Sequence, residues 1–301
     1  MQKLLNYIRF EYGIEAIDIY PAKRGFYGET WQIDTIKCRY FAKAVYSPMH
    51  KNVYEKSFPI IEHINHCGID FISKIVKTKT GSLFTQFDDA VFGVFDWIEG
   101  ENKQDEHSKV HEYQLLAKIY TVSADGLEIQ RENFSSESAN TFFKKYEKLA
   151  TDIPLKKLFK QHHSKIAHRA NRLRLFSERC CNSDAAPLFI THGDAGGNYI
   201  TDGSKSYIVD WDTPILTSPE RDAWFCMHWD WAINAFHDAL RENGINYFFR
   251  PERLAYYCYH MFFFYLNAYI DRFILNGDAP GIEEYMDGWI EDSFKFADKI
   301  T

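Results

Sequence analysis

Two short stretches of the 301-residue chain gather side chains that can do chemistry: Thr191-His192-Gly193-Asp194-Ala195-Gly196-Gly197-Asn198 and Tyr207-Ile208-Val209-Asp210-Trp211-Asp212. Asp194, Asn198 and Asp210 fall at strand ends or in a glycine-rich loop, where oxygen atoms can converge without being held in a helix. Magnesium prefers six oxygens and completes its shell with waters and phosphate oxygens, so one carboxylate and one carboxamide from the protein suffice. A third carboxylate beside them can receive a proton. That is the inventory phosphoryl transfer needs, because the reaction is mostly positioning and charge neutralisation with one residue orienting the nucleophile. The competing chemistry is a metal hydrolase built on His192 and Asp194. It lacks a second histidine at ligand spacing, and hard oxygen ligands suit Mg2+ better than Zn2+.

The elements that must position these residues are legible from period and punctuation. Residues 17–24, 30–34 and 38–46 are β-rich runs, the first two separated by Gly25-Phe26-Tyr27-Gly28-Glu29, a hairpin signal with glycine at both ends. Residues 52–66 read as a helix closed by Gly68, and 81–97 as two strands around the Asp88-Asp89 turn. After Gly100 the pattern is helical over 106–123, 139–150, 158–179, 219–242, 251–275 and 281–299. Residues 187–212 interrupt it with strand-like Leu188-Phe189-Ile190 and Tyr207-Ile208-Val209 and an Asp202-Gly203 turn between them. The expected fold class is α+β and bilobal: a small antiparallel sheet lobe with one helix over 1–100, a hinge at 95–100, and a larger, mainly helical lobe over 101–301. The second lobe carries the loop 191–198 and the strand 206–212.

A hydrophobic fraction of 46% and an aromatic fraction of 17% describe a folded globular protein. Six scattered cysteines without a CxxC pair fit free thiols in a reducing cytoplasm. The most apolar stretch, 256–270, is shorter than the ~20 residues a bilayer requires, so a buried helix and no membrane span is expected. The net charge of -7 hides an asymmetry: residues 191–301 hold 18 acidic and 8 basic side chains, a balance of -10, and the remainder carries +3. An acidic second part disfavours nucleic acid, whose binding is driven by neutralising phosphates with Lys and Arg, and favours a cationic small molecule. Asp212, Asp230, Asp238, Glu283, Glu284, Asp287, Glu291 and Asp292 are candidates for binding amines. Trp211, Trp224, Trp229 and Trp231 read first as core and second as a platform for a sugar or quaternary amine.

The His-Gly-Asp loop, its downstream Asn, the Ile-Val-Asp-Trp-Asp strand and the Pro-Glu-Arg-Asp helix start resemble the signature motifs of the aminoglycoside phosphotransferase and choline kinase family. Its folds are similar to protein kinases, and YIVDWDTPILTSPERDAWF looks most like the spectinomycin-type members. The resemblance implies transfer of the γ-phosphate of ATP, with GTP not excluded, to an acceptor hydroxyl with Mg2+ bound. It makes Asp194 the catalytic base, Asn198 and Asp210 the magnesium ligands, Asp222 the buried helix residue that anchors the catalytic loop, and His192 its structural support. The usual spacing from that Asp to that Asn is five; here it is four, and Gly196 and Gly197 are the residues to absorb the change.

In the small lobe, Lys43 alternates with Phe41 and Val45 on one strand face, an expensive place for a lone ammonium. The resemblance makes it the phosphate-binding lysine, ion-paired to Glu55, with Glu62 as second choice. Gly25 and Gly28 become a phosphate-facing turn, and the Asp96 carbonyl and Ile98 amide read the adenine edge. The acceptor is expected to be an aminoglycoside or aminocyclitol, as in antibiotic resistance, with choline, homoserine or a sugar as the metabolic alternative. A nucleotide-binding pseudokinase with a regulatory role is the reading from another class.

Overall fold

The computed structural model describes residues 2–22, 28–183, 187–288 and 291–301. It opens with a helix that the sequence reading did not place, α1 (Gln2–Tyr12), whose Leu4, Ile8 and Tyr12 recur every fourth residue and are buried. The strands β1 (Asp18–Pro21), β2 (Gly28–Asp34), β3 (Arg39–Val45), β4 (Thr85–Phe87) and β5 (Ala90–Asp96) follow, with α2 (Pro48–His66) between β3 and β4. They form an antiparallel sheet in the order β1-β2-β3-β5-β4. Alternation along the strands separates two faces. Ala42, Ala44, Phe92 and Val94 join Leu4, Ile8 and Tyr12 in one apolar cluster. Lys43, with Gly93 directly opposite, points to the other face, where Phe58 of α2 stacks on Phe95 at 5.7 Å.

By compactness the chain divides otherwise than at residue 100: one unit joins Met1–Gln130 to His192–Ile215, and the second joins Arg131–Thr191 to Leu216–Thr301. The first unit therefore holds α3 (Glu106–Ile119) and the hairpin β7 (Tyr199–Thr201) to β8 (Ser206–Ile208) as well as the sheet. The Asp202-Gly203 turn joins β7 to β8, whereas the strand near 188–190, β6 (Phe189–Thr191), pairs with β9 (Ile215–Thr217).

The second unit is helical: α4 (Glu137–Lys148), α5 (Pro154–Gln161), α6 (His163–Asn182), α7 (Glu220–Ala223), α8 (Asp230–Glu242), α9 (Pro251–Asn276), α10 (Ile282–Asp287) and α11 (Glu291–Lys299). The run expected at 158–179 is thus two helices, and that at 219–242 is α7, a 3-10 turn at Trp224–Cys226 and α8. Helix α9 is the spine, with Tyr256, Tyr257, Tyr259, Phe262 and Phe263 buried along it. Among the described residues no helix is long and apolar enough to cross a membrane, and all six cysteines are free.

Candidate active site

The loop that carries Asp194 is shaped by a glycine and held by a histidine. Gly193 has φ 85°, and a Cβ there would stand 2.1 Å from the Thr213 carbonyl oxygen, so only glycine fits the turn. His192 is fully buried. Its Nε2 donates to the Val209 carbonyl at 2.8 Å and its Nδ1 accepts the Asp194 amide at 3.3 Å, so one imidazole fastens the Asp194 loop to the strand leading into Asp210. The ring meets Trp211 edge-on at 4.7 Å, and Trp211 Nε1 donates to the Ile208 carbonyl at 3.0 Å.

Asn198 donates through Nδ2 to the Asp194 carbonyl at 2.8 Å, a bond that does not use its carboxamide oxygen. Between Asp194 and Asn198, Gly196 adopts φ 101° and its amide donates to Glu112 Oε1 at 3.1 Å. Glu112, buried in α3, was not singled out from sequence. Its signal was present: Ser108, Glu112 and Leu116 recur every fourth residue on a buried stripe, and a carboxylate there needs a donor. Asn102 Nδ2 donates to the Gly197 carbonyl and grips the loop a second time.

Beyond β8, which is set by the Ile208 amide on the Phe71 carbonyl at 2.9 Å, Asp210 adopts φ 64°. This left-handed conformation is sparsely populated outside glycine and concentrates at functional sites. Lys43 Nζ reaches from β3 to Asp210 Oδ1 at 2.6 Å and also donates to Asp212 Oδ2. Side-chain exposure is 4% for Lys43, 17% for Asp212 and 44% for Asp210. Burial alone would lower the pKa of Lys43, but the charges of Asp210 and Asp212 raise it instead. Desolvation, then the Asp210 charge, push Asp212 up to about 7 against the pull of Lys43. For Asp210 desolvation also opposes ionisation, yet the charge and hydrogen bond of Lys43 hold its pKa below the ordinary carboxylate value.

One ammonium between two carboxylates leaves the cluster with surplus negative charge when both are ionised. Asp210 and Asn198 offer the hard oxygen donors that magnesium selects, so the residues fit that ion. They do not fit a zinc hydrolase centred on His192, whose Nε2 is committed to a backbone carbonyl. Among the described residues no group of three or more His, Cys, Asp or Glu is arranged to hold a metal, so protein atoms alone do not complete a shell there.

In this structure Lys43 pairs with Asp210 and Asp212 and not with Glu55, the partner expected for the nucleotide-bound form. Glu55 is half-buried and makes no ion pair among the described residues, and Glu62 pairs with Lys77 at 2.5 Å. The reason is rotational: the face of α2 turned to the sheet carries Tyr54, Phe58 and Ile61, which leaves Glu55 about 100° round the helix from Tyr54. Asp212, expected to meet an acceptor amine, is instead engaged by Lys43.

Gly28 opens β2 opposite Val45, while Gly25 lies outside the described residues. Asp96 ends β5 and its amide donates to the Lys74 carbonyl at 2.9 Å; Ile98 follows two residues on, half-buried. In the second unit Asp222 is fully buried in α7, and Asp230 is exposed at the start of α8. There Asp238, Asp287, Glu291 and Asp292 have internal partners in Arg241, His162, Arg169 and Lys295. Trp211 and Trp224 are core residues, whereas Trp229 and Trp231 are half-buried and stacked at 5.8 Å.

No family model and no curated protein matches the chain. Solved structures do match. A spectinomycin phosphotransferase in complex with ADP and spectinomycin is 20% identical and gives a TM-score of 0.75 over 98% of each chain. Choline kinase LicA from Streptococcus pneumoniae, 14% identical, gives 0.69 over 99% of this chain and 98% of that one. Amicoumacin kinase hAmiN in complex with AMP-PNP and Ca2+, 12% identical, gives 0.67 over 99% and 93%. The fold, a five-stranded antiparallel sheet with a mostly helical larger part, is the one these kinases and phosphotransferases share.

Proposed function

We propose that the chain transfers the γ-phosphoryl group of ATP to a hydroxyl of a small acceptor. The observation that carries this reading is the cluster in which Lys43 meets Asp210 and Asp212, tied through His192 to the loop of Asp194. Lys43 is positioned to neutralise phosphate oxygens, and Asp194 to take the proton of the attacking hydroxyl. Asp210 and Asn198 would hold a magnesium ion, which when bound supplies neutralisation of the charge developing on the phosphates. The backbone of Asp96 and Ile98 reads the adenine edge, and Gly28 faces the phosphates. A reducing cytoplasmic setting accords with six free thiols.

Among acceptors an amine-bearing aminoglycoside or aminocyclitol comes first, supported by the acidic balance of residues 191–301 and by the spectinomycin phosphotransferase among the structural neighbours. A metabolic acceptor such as choline, homoserine or a sugar is the second reading. It is favoured by the choline kinase match and by the internal pairing of Asp238, Asp287, Glu291 and Asp292. The test is a coupled ADP-release assay of purified protein against aminoglycosides, spectinomycin, choline, homoserine and sugars. Acceptor-dependent ADP release is the expected result. Mg-ADP binding without turnover on a broad panel would point to the pseudokinase role, and neither binding nor turnover would overturn the proposal.

A further inference from the structure

Lys43 has a neighbour besides its two carboxylates. Tyr54, on the sheet-facing side of α2, is 2% exposed, and Lys43 Nζ lies 5.8 Å from its ring centroid. Its hydroxyl is buried and makes no hydrogen bond. A hydroxyl that has given up water without a partner weakens this state of the fold, a cost that is explained if another state of the molecule uses it. The room for it comes from Gly93, directly opposite Lys43 in the β3–β5 ladder. A Cβ there would stand 2.4 Å from Phe58 Cζ and 3.1 Å from the Tyr54 oxygen, so a side chain at 93 would push the phenol away from Lys43. Burial, and then the charges of Asp212 and Asp210, keep the phenol protonated well above its ordinary range. Lys43 has three N–H donors, of which Asp210 and Asp212 take two.

We infer that Tyr54 is the positioning residue of Lys43. When a metal nucleotide draws on Asp210, the Tyr54 oxygen accepts the Lys43 N–H that Asp210 releases and keeps the ammonium aimed at the phosphates. This inference rests on the phosphotransferase reading above. A phenol suits the place better than a glutamate. A carboxylate there would be a third anion around one ammonium, whereas the phenol supplies an acceptor and a ring face without adding charge.

Tyr54→Phe removes the oxygen and keeps the ring. The melting midpoint of the free variant should equal or exceed that of the wild type, because the hydroxyl has no bond to lose. Its Kd for Mg-ADP by calorimetry should rise about tenfold, the scale of one hydrogen bond to a charged group. The rise in midpoint produced by saturating Mg-ADP should shrink accordingly, and the KM for ATP should increase. A lower free-protein midpoint with an intact Mg-ADP increment would mark a merely structural tyrosine and overturn the inference. A larger loss of Mg-ADP affinity in Glu55→Gln than in Tyr54→Phe would overturn it too. If wild-type protein gains no stability from Mg-ADP, the phosphotransferase reading falls and the inference with it. A wild-type gain that Tyr54→Phe fully retains removes Tyr54 alone.

Discussion

Each unit contains a buried ionic cluster, and the two are built on opposite plans. In the second unit Glu220 is fully buried. It accepts the Tyr247 hydroxyl at 2.8 and 3.0 Å and the Arg250 amide at 2.8 Å, and Arg253 donates to Tyr247 at 2.9 Å. Desolvation raises the pKa of Glu220, and the bonds from the Arg250 amide and Tyr247 pull it back. Every partner comes from the fold itself. In the first unit Lys43 is, among the described residues, the one cation ion-paired with Asp210 and Asp212, Asp210 keeps 44% of its side-chain surface, and its backbone is left-handed. A closed cluster specifies a fold, whereas one left short of positive charge and open to solvent leaves interaction energy for a ligand to complete.

The contrast breaks if substitutions in the two clusters have the same effect. The largest separation should come from Asp194→Ala, beside the open cluster: turnover falls by about 10² to 10⁴, the usual contribution of a positioned acid–base group, while Mg-ADP affinity by calorimetry changes only a few-fold. Lys43→Ala should weaken nucleotide binding and also lower stability. The stability loss in a denaturant titration should fall at or below the low end of the ~3–5 kcal/mol typical of a broken buried pair, because Asp210 is partly exposed and screened. Glu220→Gln should do the reverse, lowering stability by about 1–3 kcal/mol while turnover per folded molecule is unchanged. Loss of turnover in folded Glu220→Gln would mean that the closed cluster is functional after all.

The last separation is a pH dependence. With Asp212 raised to about 7 in the fold against ~3.9 unfolded, the folded chain binds more protons between those values. Stability of the wild type should therefore fall relative to Asp212→Asn as pH rises from ~4 to ~7, and the two should run parallel above that window. Melting curves that stay parallel across the whole range would show that Asp212 is not perturbed.

Much of the site was legible because its residues are close in sequence. Asp194, Asn198 and Asp210 sit at strand ends marked by glycines and apolar runs, and the imidazole that joins their segments is part of the same motif. The pairing of Lys43 with Asp210 and Asp212 was not legible, because it joins residues 167 and 169 positions apart, and which residue of α2 stands beside Lys43 depends on the rotation of that helix. That helix begins at Pro48, four residues before the expected start, and turns Tyr54 rather than Glu55 toward the sheet. Charge complementarity suggested the glutamate, while the spacing of Tyr54, Phe58 and Ile61 specified the face. Helix α1 was missed for want of a start signal, although Leu4, Ile8 and Tyr12 carry its period and Gly13, at φ 69°, closes it. Glu112 escaped because a glutamate in a helix is ordinarily read as solvent-facing.

The discontinuity of the first unit bears on how the protein is made. Between Gln130 and His192 a ribosome must add the whole of Arg131–Thr191, which at ~5–20 residues per second takes about 3 to 12 seconds. Throughout that interval the nascent sheet contains Lys43 but not the carboxylates of Asp210 and Asp212 that compensate it. Sealing an ammonium into the strand face before they emerge is costly, so β3 should stay open to water until the β7–β8 hairpin docks. Translation stopped just before His192 should release a fragment whose sheet is readily cleaved by protease, and extension through Ile215 should protect it.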